Sequence, residues 1–155
     1  MNLDRAMYED TVGLLIASLK LHEGLRLFRY IEPISNKPHI GWGHLVTGNS
    51  PESLKADSCT RKAADAQLEK DAWAALYDAW TFCGWNAFDA MTKRQKCGIA
   101  EMAYQLGLTN LRKFKKMQSA IKALDWKRAM LEAQDSLWYR QTPGRAQTVS
   151  KRLVP

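Results

Sequence analysis

The sequence predicts an α+β fold, with a small antiparallel sheet near the N-terminus and a mainly helical part after it. Three observations support this prediction. Apolar residues at 12, 15, 16 and 19 follow the spacing of one helix face. Residues 25–44 instead mix alternation with turn-forming residues, and helical patterns fill most of the chain after residue 60.

The first predicted element is an amphipathic helix that carries those four apolar residues. Asp4 and Asp10 are both candidates to cap its N-terminus, because a carboxylate can accept hydrogen bonds from the first free N–H groups. Gly24 is expected to end the helix, directly after Glu23. The pattern therefore places an acidic side chain where a helix gives way to an extended strand.

The next segment predicts an irregular antiparallel sheet. Leu25 and Leu27 begin an alternation, and turn-forming residues interrupt it repeatedly. These are Pro33, Ser35, Asn36, Pro38, Gly41 and Gly43. Residues 47–58 are polar and contain Gly, Asn, Ser and Pro, so we expect a loop there.

A long helix is predicted to follow, with Thr60 as its N-cap and its end before Gly84. One face of this helix carries Ala64, Leu68, Ala72, Ala75, Leu76 and Ala79. Further helices are expected at 91–106, 110–124, 126–135 and 142–152, with breaks at Gly107 and Pro143. We expect a single domain over residues 1–155, in which helix 60–82 joins lobes at about 12–60 and 80–155.

Composition limits the classes of function. The chain has 155 residues and a net charge of +7, which favours polyanionic partners such as cell-wall polymers, anionic membrane surfaces or nucleic acid. Its three cysteines and three histidines lack the spacing of a metal site, so we expect free thiols and no metal. No signal peptide is visible, and the apolar stretch 12–19 is too short to cross a bilayer. We therefore expect synthesis in a reducing cytoplasm.

Two acids and a histidine are the candidate catalytic residues. Glu23 and Glu32 stand nine positions apart, and a Gly-x-Gly turn at 41–43 closes the segment. Such a pattern can place two carboxyl groups across one cleft, as glycoside hydrolysis requires. The leucines around Glu23 favour its protonated form, which suits a general acid. His39 could serve as a base for water or as a nucleophile, while His44 and Trp42 are interpreted as structural.

Three motifs resemble those of the phage-type lysozymes, the muramidase endolysins of tailed bacteriophages. They are HEGLRL at 22–27 followed by IGWGH at 40–44, MAYQLG at 102–107, and WYRQTPGRA at 138–146. They occur in the family's order, and the resemblance covers residues 14–152. It implies a lysozyme-like α+β fold in which Glu23 donates a proton to the glycosidic oxygen.

The chain departs from this family at two positions. The family has Asp where this chain has Glu32, and the longer side chain reaches about 1.5 Å further. It also has Thr where His39 stands, so the hairpin at 34–37 is expected to contain one additional residue. The resemblance further implies that Arg145 pairs with Glu23. The substrate-binding residues that it implies are Leu45, Tyr104, Gln105, Met117 and Glu132.

The resemblance implies a muramidase that cleaves the β-1,4 bond between N-acetylmuramic acid and N-acetylglucosamine in bacterial peptidoglycan. We expect a monomer that needs no cofactor, binds no nucleic acid and does not insert stably into a membrane. We expect it in the host cytoplasm first, with delivery to the periplasm or cell wall by a holin-type or virion-borne route.

Two alternatives remain. One is a wall-binding protein of the same fold with impaired catalysis, which Glu32 and His39 would permit. The other is a nucleic-acid-binding protein with a basic patch of Lys113, Lys115, Lys116, Arg140, Arg145, Lys151 and Arg152. That patch shows no interleaving of aromatic and basic residues, so solvated helix faces explain its charges.

Overall fold

The computed structural model describes residues 3–155 and has an α+β architecture with a small sheet near the N-terminus, as the sequence predicts. The elements before the long helix are α1 (Arg5–Glu23), β1 (Arg26–Glu32), β2 (Lys37–Gly41), β3 (His44–Leu45) and α2 (Glu52–Lys55). They are followed by α3 (Arg61–Cys83), α4 (Trp85–Ala90), α5 (Lys93–Leu111) and α6 (Lys115–Lys122). The chain continues with α7 (Trp126–Gln134), α8 (Leu137–Gln141), α9 (Pro143–Ser150) and a 3-10 turn (Lys151–Leu153).

Helix α1 begins at a capped N-terminus and ends at a glycine. The Asp4 carboxylate accepts a hydrogen bond from the Ala6 N–H at 3.0 Å, whereas Asp10 lies inside the helix. Of the two predicted caps, Asp4 is therefore confirmed. Gly24 has a φ of +67°, which few other residues adopt, and the chain leaves the helix there. This geometry places Glu23 at the last helical position.

The sheet is antiparallel with the strand order β1-β2-β3. Residues 33–36 form the turn between β1 and β2, and the Asn36 N–H donates to the Glu32 carbonyl at 2.8 Å. In the β1–β2 pairing, Arg26 is opposite Gly41 and Tyr30 is opposite His39. Four steps along β1 thus match two along β2, so the register shifts between Arg26 and Tyr30.

The segment 47–58 is not only a loop, and this part of the prediction was wrong. It contains the short helix α2, whose Leu54 is buried. The Leu54 N–H donates to the Pro51 carbonyl at 2.9 Å, which closes the first turn. Four residues are too few to produce a periodic pattern, so this helix could not be recognised in the sequence.

Helix α3 matches the prediction closely. The Ala63 N–H donates to the Thr60 hydroxyl at 3.1 Å, which confirms Thr60 as the cap, and the helix ends one residue before Gly84. All six residues predicted for its apolar face are buried: Ala64, Leu68, Ala72, Ala75, Leu76 and Ala79.

The later helices agree with the prediction in number and order except for two short ones. α4 and α8 have six and five residues and were not predicted. α5 begins at a capping box between Thr92 and Gln95 and continues past Gly107, which has a φ of +74° and interrupts the helical geometry. α6 begins at Lys115, later than predicted.

The chain divides into two compact units. The first joins the described residues up to Leu15 with Trp73–Pro155, and its buried apolar side chains include Phe82, Phe88 and Met102. The second comprises Ile16–Ala72, whose core includes Ile40. In residues 3–155, no helix combines the length and the apolar character that crossing a membrane requires.

Candidate active site

Glu23 lies against the backbone of Gly43, inside the unit formed by Ile16–Ala72. A Cβ atom built on Gly43 would stand 2.7 Å from Glu23 Oε2 and 3.0 Å from Cδ. Gly43 also has a φ of +80°, which L side chains rarely adopt. Two independent constraints therefore require glycine here, and the first of them concerns the Glu23 carboxyl.

Glu32 ends β1, and its carboxylate caps the following turn. It accepts hydrogen bonds from the N–H groups of Ile34 at 3.0 Å and Ser35 at 2.6 Å. Partial burial raises the pKa of Glu32, but the hydrogen bonds from Ser35 and Ile34 and the nearby His39 outweigh it, so the pKa is lowered. The group is therefore ionised at neutral pH and suited to stabilise positive charge.

His39 lies on β2 with its ring held by a backbone carbonyl. Nδ1 is 3.0 Å from the Gly43 oxygen. A carbonyl only accepts, so Nδ1 carries the hydrogen. In the neutral imidazole this leaves the lone pair on Nε2, which can accept a proton or attack an electrophile. His39 also pairs in register with Leu45 of β3, which is 37% exposed, so the predicted sugar-contacting leucine is its neighbour.

Tyr30 belongs to this cluster, and the sequence analysis missed it. It is opposite His39 in the β1–β2 register with the ring centroids 5.9 Å apart, and the Arg26 guanidinium lies 4.3 Å from its ring. Burial raises the pKa of Tyr30, and the charges of Glu23 and Glu32 add to this effect although Arg26 opposes it. Tyr30 stands two residues before Glu32, and alternate residues of a strand share one face. The sequence could therefore have indicated that Tyr30 lies beside Glu32.

The second unit of structure thus gathers the three predicted catalytic residues around Gly43 and Tyr30. Gly43 contacts the Glu23 carboxyl through its Cα side and holds His39 through its oxygen. The charge of Glu32 helps to raise the pKa of Tyr30, and His39 helps to lower the pKa of Glu32. The cluster therefore offers the Glu23 carboxyl, the ionised Glu32 carboxylate and the His39 imidazole with an oriented lone pair. These are the kinds of group that acid–base catalysis uses.

The structural interpretation of His44 and Trp42 is confirmed. His44 Nδ1 is 2.7 Å from Asp71 Oδ2, and the Trp42 indole N–H donates to Asp65 at 2.8 Å. Trp42 is 8% exposed, so its ring packs inside the unit. In residues 3–155, no three His, Cys, Asp or Glu side chains are arranged to hold a metal ion.

The other predicted substrate-binding residues lie in the unit that contains Trp73–Pro155. Tyr104 and Gln105 are half-buried on α5, and Gln105 Oε1 accepts a hydrogen bond from the Trp138 indole at 2.8 Å. Met117 on α6 is 1% exposed, so it offers little surface to a ligand. Glu132 on α7 forms an ion pair with Arg128. Their contact with a saccharide stays a prediction.

Arg145 lies beside an acid that the sequence analysis did not single out. Its Nε is 3.4 Å from Oε1 of Glu101, a fully buried residue of α5, and Arg152 donates to the other oxygen of Glu101 at 2.7 Å. An acid within the otherwise apolar run 99–103 of α5 was the signal. The predicted pairing of Arg145 with Glu23 stays a prediction.

Comparison with known proteins agrees with the motifs. A family model described as phage lysozyme matches residues 20–153. The pre-baseplate central spike protein Gp5 of Enterobacteria phage T4 is 30% identical over 88% of this chain, which spans only 27% of the spike protein. The probable T4-type lysozyme 2 of Dictyostelium discoideum is 27% identical over 84% of this chain and 88% of its own length. The chain belongs to the phage lysozyme family.

Proposed function

We propose that this protein is a muramidase that cleaves the β-1,4 bonds between N-acetylmuramic acid and N-acetylglucosamine in bacterial peptidoglycan. The observation that carries the proposal is the placement of Glu23 against Gly43 in the same unit as Glu32 and His39. Membership of the phage lysozyme family supports it. The net charge of +7 suits an anionic wall polymer.

In the proposed reaction, Glu23 protonates the glycosidic oxygen as the bond breaks. Glu32, ionised because of its hydrogen bonds, stabilises the positive charge that develops on the sugar ring. His39 uses Nε2 either as a base for the attacking water, which inverts the anomeric carbon, or as a nucleophile, which retains its configuration. In this proposal Arg145 pairs with Glu23 and holds its carboxyl in place. No metal or other cofactor takes part in this scheme.

Substrate binding is proposed for Leu45, Tyr104, Gln105, Met117 and Glu132. Leu45 has the strongest structural support, since it is exposed and adjacent to His39 in the sheet. We further propose a monomeric enzyme that binds no nucleic acid and starts in the host cytoplasm. A separate route, holin-type or virion-borne, would bring it to the wall during phage-induced lysis or wall penetration.

The test compares wild type with Glu23→Gln on purified peptidoglycan, with turbidity and released reducing sugar as readouts. The wild type should clear the suspension equally with and without EDTA, and Glu23→Gln should lose about 100-fold or more of the rate because an amide cannot donate the proton. Glu9→Gln, at an exposed position of the same helix, is the matched control and should keep the full rate.

A pull-down with peptidoglycan completes the design. Clearing by Glu23→Gln at the wild-type rate would show that Glu23 is not the acid. Binding by the wild type without any hydrolysis would identify the protein as a wall-binding member of the family with impaired catalysis.

A further inference from the structure

An aromatic strip lies on the solvent-facing side of helix α3, in the unit that contains Trp73–Pro155. The strip consists of Trp73, Tyr77 and Trp80, which follow one another at intervals of four and three positions and therefore share one side of the helix. Tyr77 is 40% exposed, and the two tryptophans are half-buried. All three rings can therefore contact a molecule that lies along the helix.

The three rings are spaced like the sugars of a β-1,4-linked chain. The ring centroids of Tyr77 and Trp80 are 5.4 Å apart, which is close to the step from one sugar to the next in such a chain. Trp73 and Trp80 are seven positions apart, or about 10 Å along the axis of an α-helix, which is close to the length of one disaccharide. Because sugars pack their C–H faces on aromatic rings, the strip can contact consecutive sugars.

Two arginines give the strip positive charge. The guanidinium carbon of Arg5 lies 4.9 Å from the centroid of the Trp73 ring, a distance at which a cation and an aromatic face attract each other. Burial raises the pKa of Asp78, the neighbour of Tyr77, and the charge of Arg112 opposes this rise, so Arg112 also lies near the strip. Both arginines are exposed and can pair with the carboxylates of an approaching polyanion.

We propose that the aromatic strip is a second binding surface for the glycan strand of peptidoglycan. Sugar rings stack on the strip, while Arg5 and Arg112 pair with carboxylates of the strand. The identity of this polymer rests on the muramidase function proposed above. The strip shares no residue with the proposed catalytic and substrate-binding residues. A second attachment raises the effective concentration of the wall at the enzyme, so the enzyme stays on the wall between cleavages.

The side chains around the strip favour a sugar chain over a membrane or a second copy of this protein. The other positions of α3 after Trp73 that reach solvent are Ala74, Asp78 and Thr81. This part of the helix therefore exposes no large aliphatic side chain, although insertion into lipid and association of copies commonly use such side chains. Flat ring faces beside the carboxylate of Asp78, which can accept hydrogen bonds from hydroxyl groups, suit a sugar chain.

The experiment measures how whole-chain variants bind purified peptidoglycan, in a Glu23→Gln background that prevents hydrolysis. Tyr77→Leu should raise the dissociation constant about 3- to 10-fold, because it keeps an apolar side chain but removes the flat ring. Tyr77→Phe keeps the ring and should bind as tightly as the parent. Leu14→Ala, at a 53% exposed position of the same unit outside the strip, is the control and should also leave the affinity unchanged.

Chitin separates the contribution of charge from that of the rings, because its N-acetylglucosamine chain carries no carboxylates. Arg5→Gln should weaken binding to peptidoglycan, with a smaller effect at high salt, and should leave binding to chitin unchanged. Tyr77→Leu should weaken binding to both polymers. In isotope-labelled protein followed by NMR, soluble chitohexaose should shift the amide signals of residues 73–81.

Circular dichroism establishes that each variant is folded; if Tyr77→Leu fails to fold, the chitohexaose shifts in the parent decide alone. Equal affinity of Tyr77→Leu and the parent for peptidoglycan, or no shift at residues 73–81, would overturn the proposal. A dimer that Tyr77→Leu dissociates in sedimentation would overturn it too, since the strip would then join two copies. Hydrolysis by Glu23→Gln at the wild-type rate would count against the muramidase mechanism alone, because the chitohexaose shifts test the strip separately.

Discussion

Replacing Gly43 by alanine tests whether close packing positions the proposed acid. The new methyl group would stand 2.7 Å from Glu23 Oε2, whereas ordinary van der Waals contact begins at 3.4 Å. The carboxyl must therefore move by 3.4 − 2.7 = 0.7 Å or more. The Gly43 carbonyl also holds the His39 ring, so a change in its backbone disturbs two groups at once.

The expected loss of turnover follows from this displacement of the Glu23 carboxyl. A misplacement of about 1 Å in an active site can cost about 100-fold in rate, so Gly43→Ala should lower the turnover of peptidoglycan roughly 10- to 100-fold. Alanine in the left-handed region should also lower the free energy of unfolding by about 1–2 kcal/mol. A control must separate the two effects.

Gly84→Ala provides that control. Gly84 has a φ of +81°, almost equal to the +80° of Gly43, but a Cβ atom there would meet nothing within 4 Å. Both variants should lose similar stability in urea unfolding, and only Gly43→Ala should lose turnover. If Gly43→Ala hydrolyses peptidoglycan as fast as Gly84→Ala, the contact with Glu23 does not position the acid and the reasoning is wrong.

Three further predictions concern neighbouring groups. His39→Thr and His39→Ala should change the rate or the anomer of the fresh product seen by NMR; if both match wild type, His39 is a bystander. Because the folded pKa of Glu32 is below its ordinary 4.5, its stabilisation is complete above that pH and is lost as pH falls through the lowered pKa. The stability advantage of wild type over Glu32→Gln should therefore shrink in acid, and a constant gap in urea unfolding would contradict this. Burial raises the pKa of Cys83 to about 12 and of Cys97 to about 11; it also raises the pKa of Cys59, but this thiol is partly exposed. An aromatic disulfide at pH 8 should therefore titrate only Cys59 in the native protein and all three thiols in denaturant, and three equal native rates would refute this.

Long periodic elements were predictable from the sequence, and short ones were not. Helix α3 shows its buried face over 23 residues, so its cap and its end were predicted closely. The helices α2, α4 and α8 have four to six residues and depend on tertiary burial, which leaves no period to detect.

The candidate site shows the same limit. Glu23, Glu32 and His39 stand in recognisable motifs, so sequence alone could propose them. The contribution of Tyr30 depends on the register shift between β1 and β2, and the close approach of Gly43 to Glu23 depends on three-dimensional packing. Residue spacing places Tyr30 on the same strand face as Glu32, but it gives neither the pairing of Tyr30 with His39 nor the approach of Gly43 to Glu23.

The buried carboxylate of Glu101, which serves Arg145 and Arg152 together, constrains how the sequence can change over time. Removing the acid alone would take an ion-pair partner from two arginines whose side chains are only 13% and 19% exposed, and losing one partner of a buried pair commonly costs about 3–5 kcal/mol. The effects of substitutions at these three positions should therefore be non-additive. Neutral drift at any one of them requires compensation at another, so the trio should be inherited or replaced as a set.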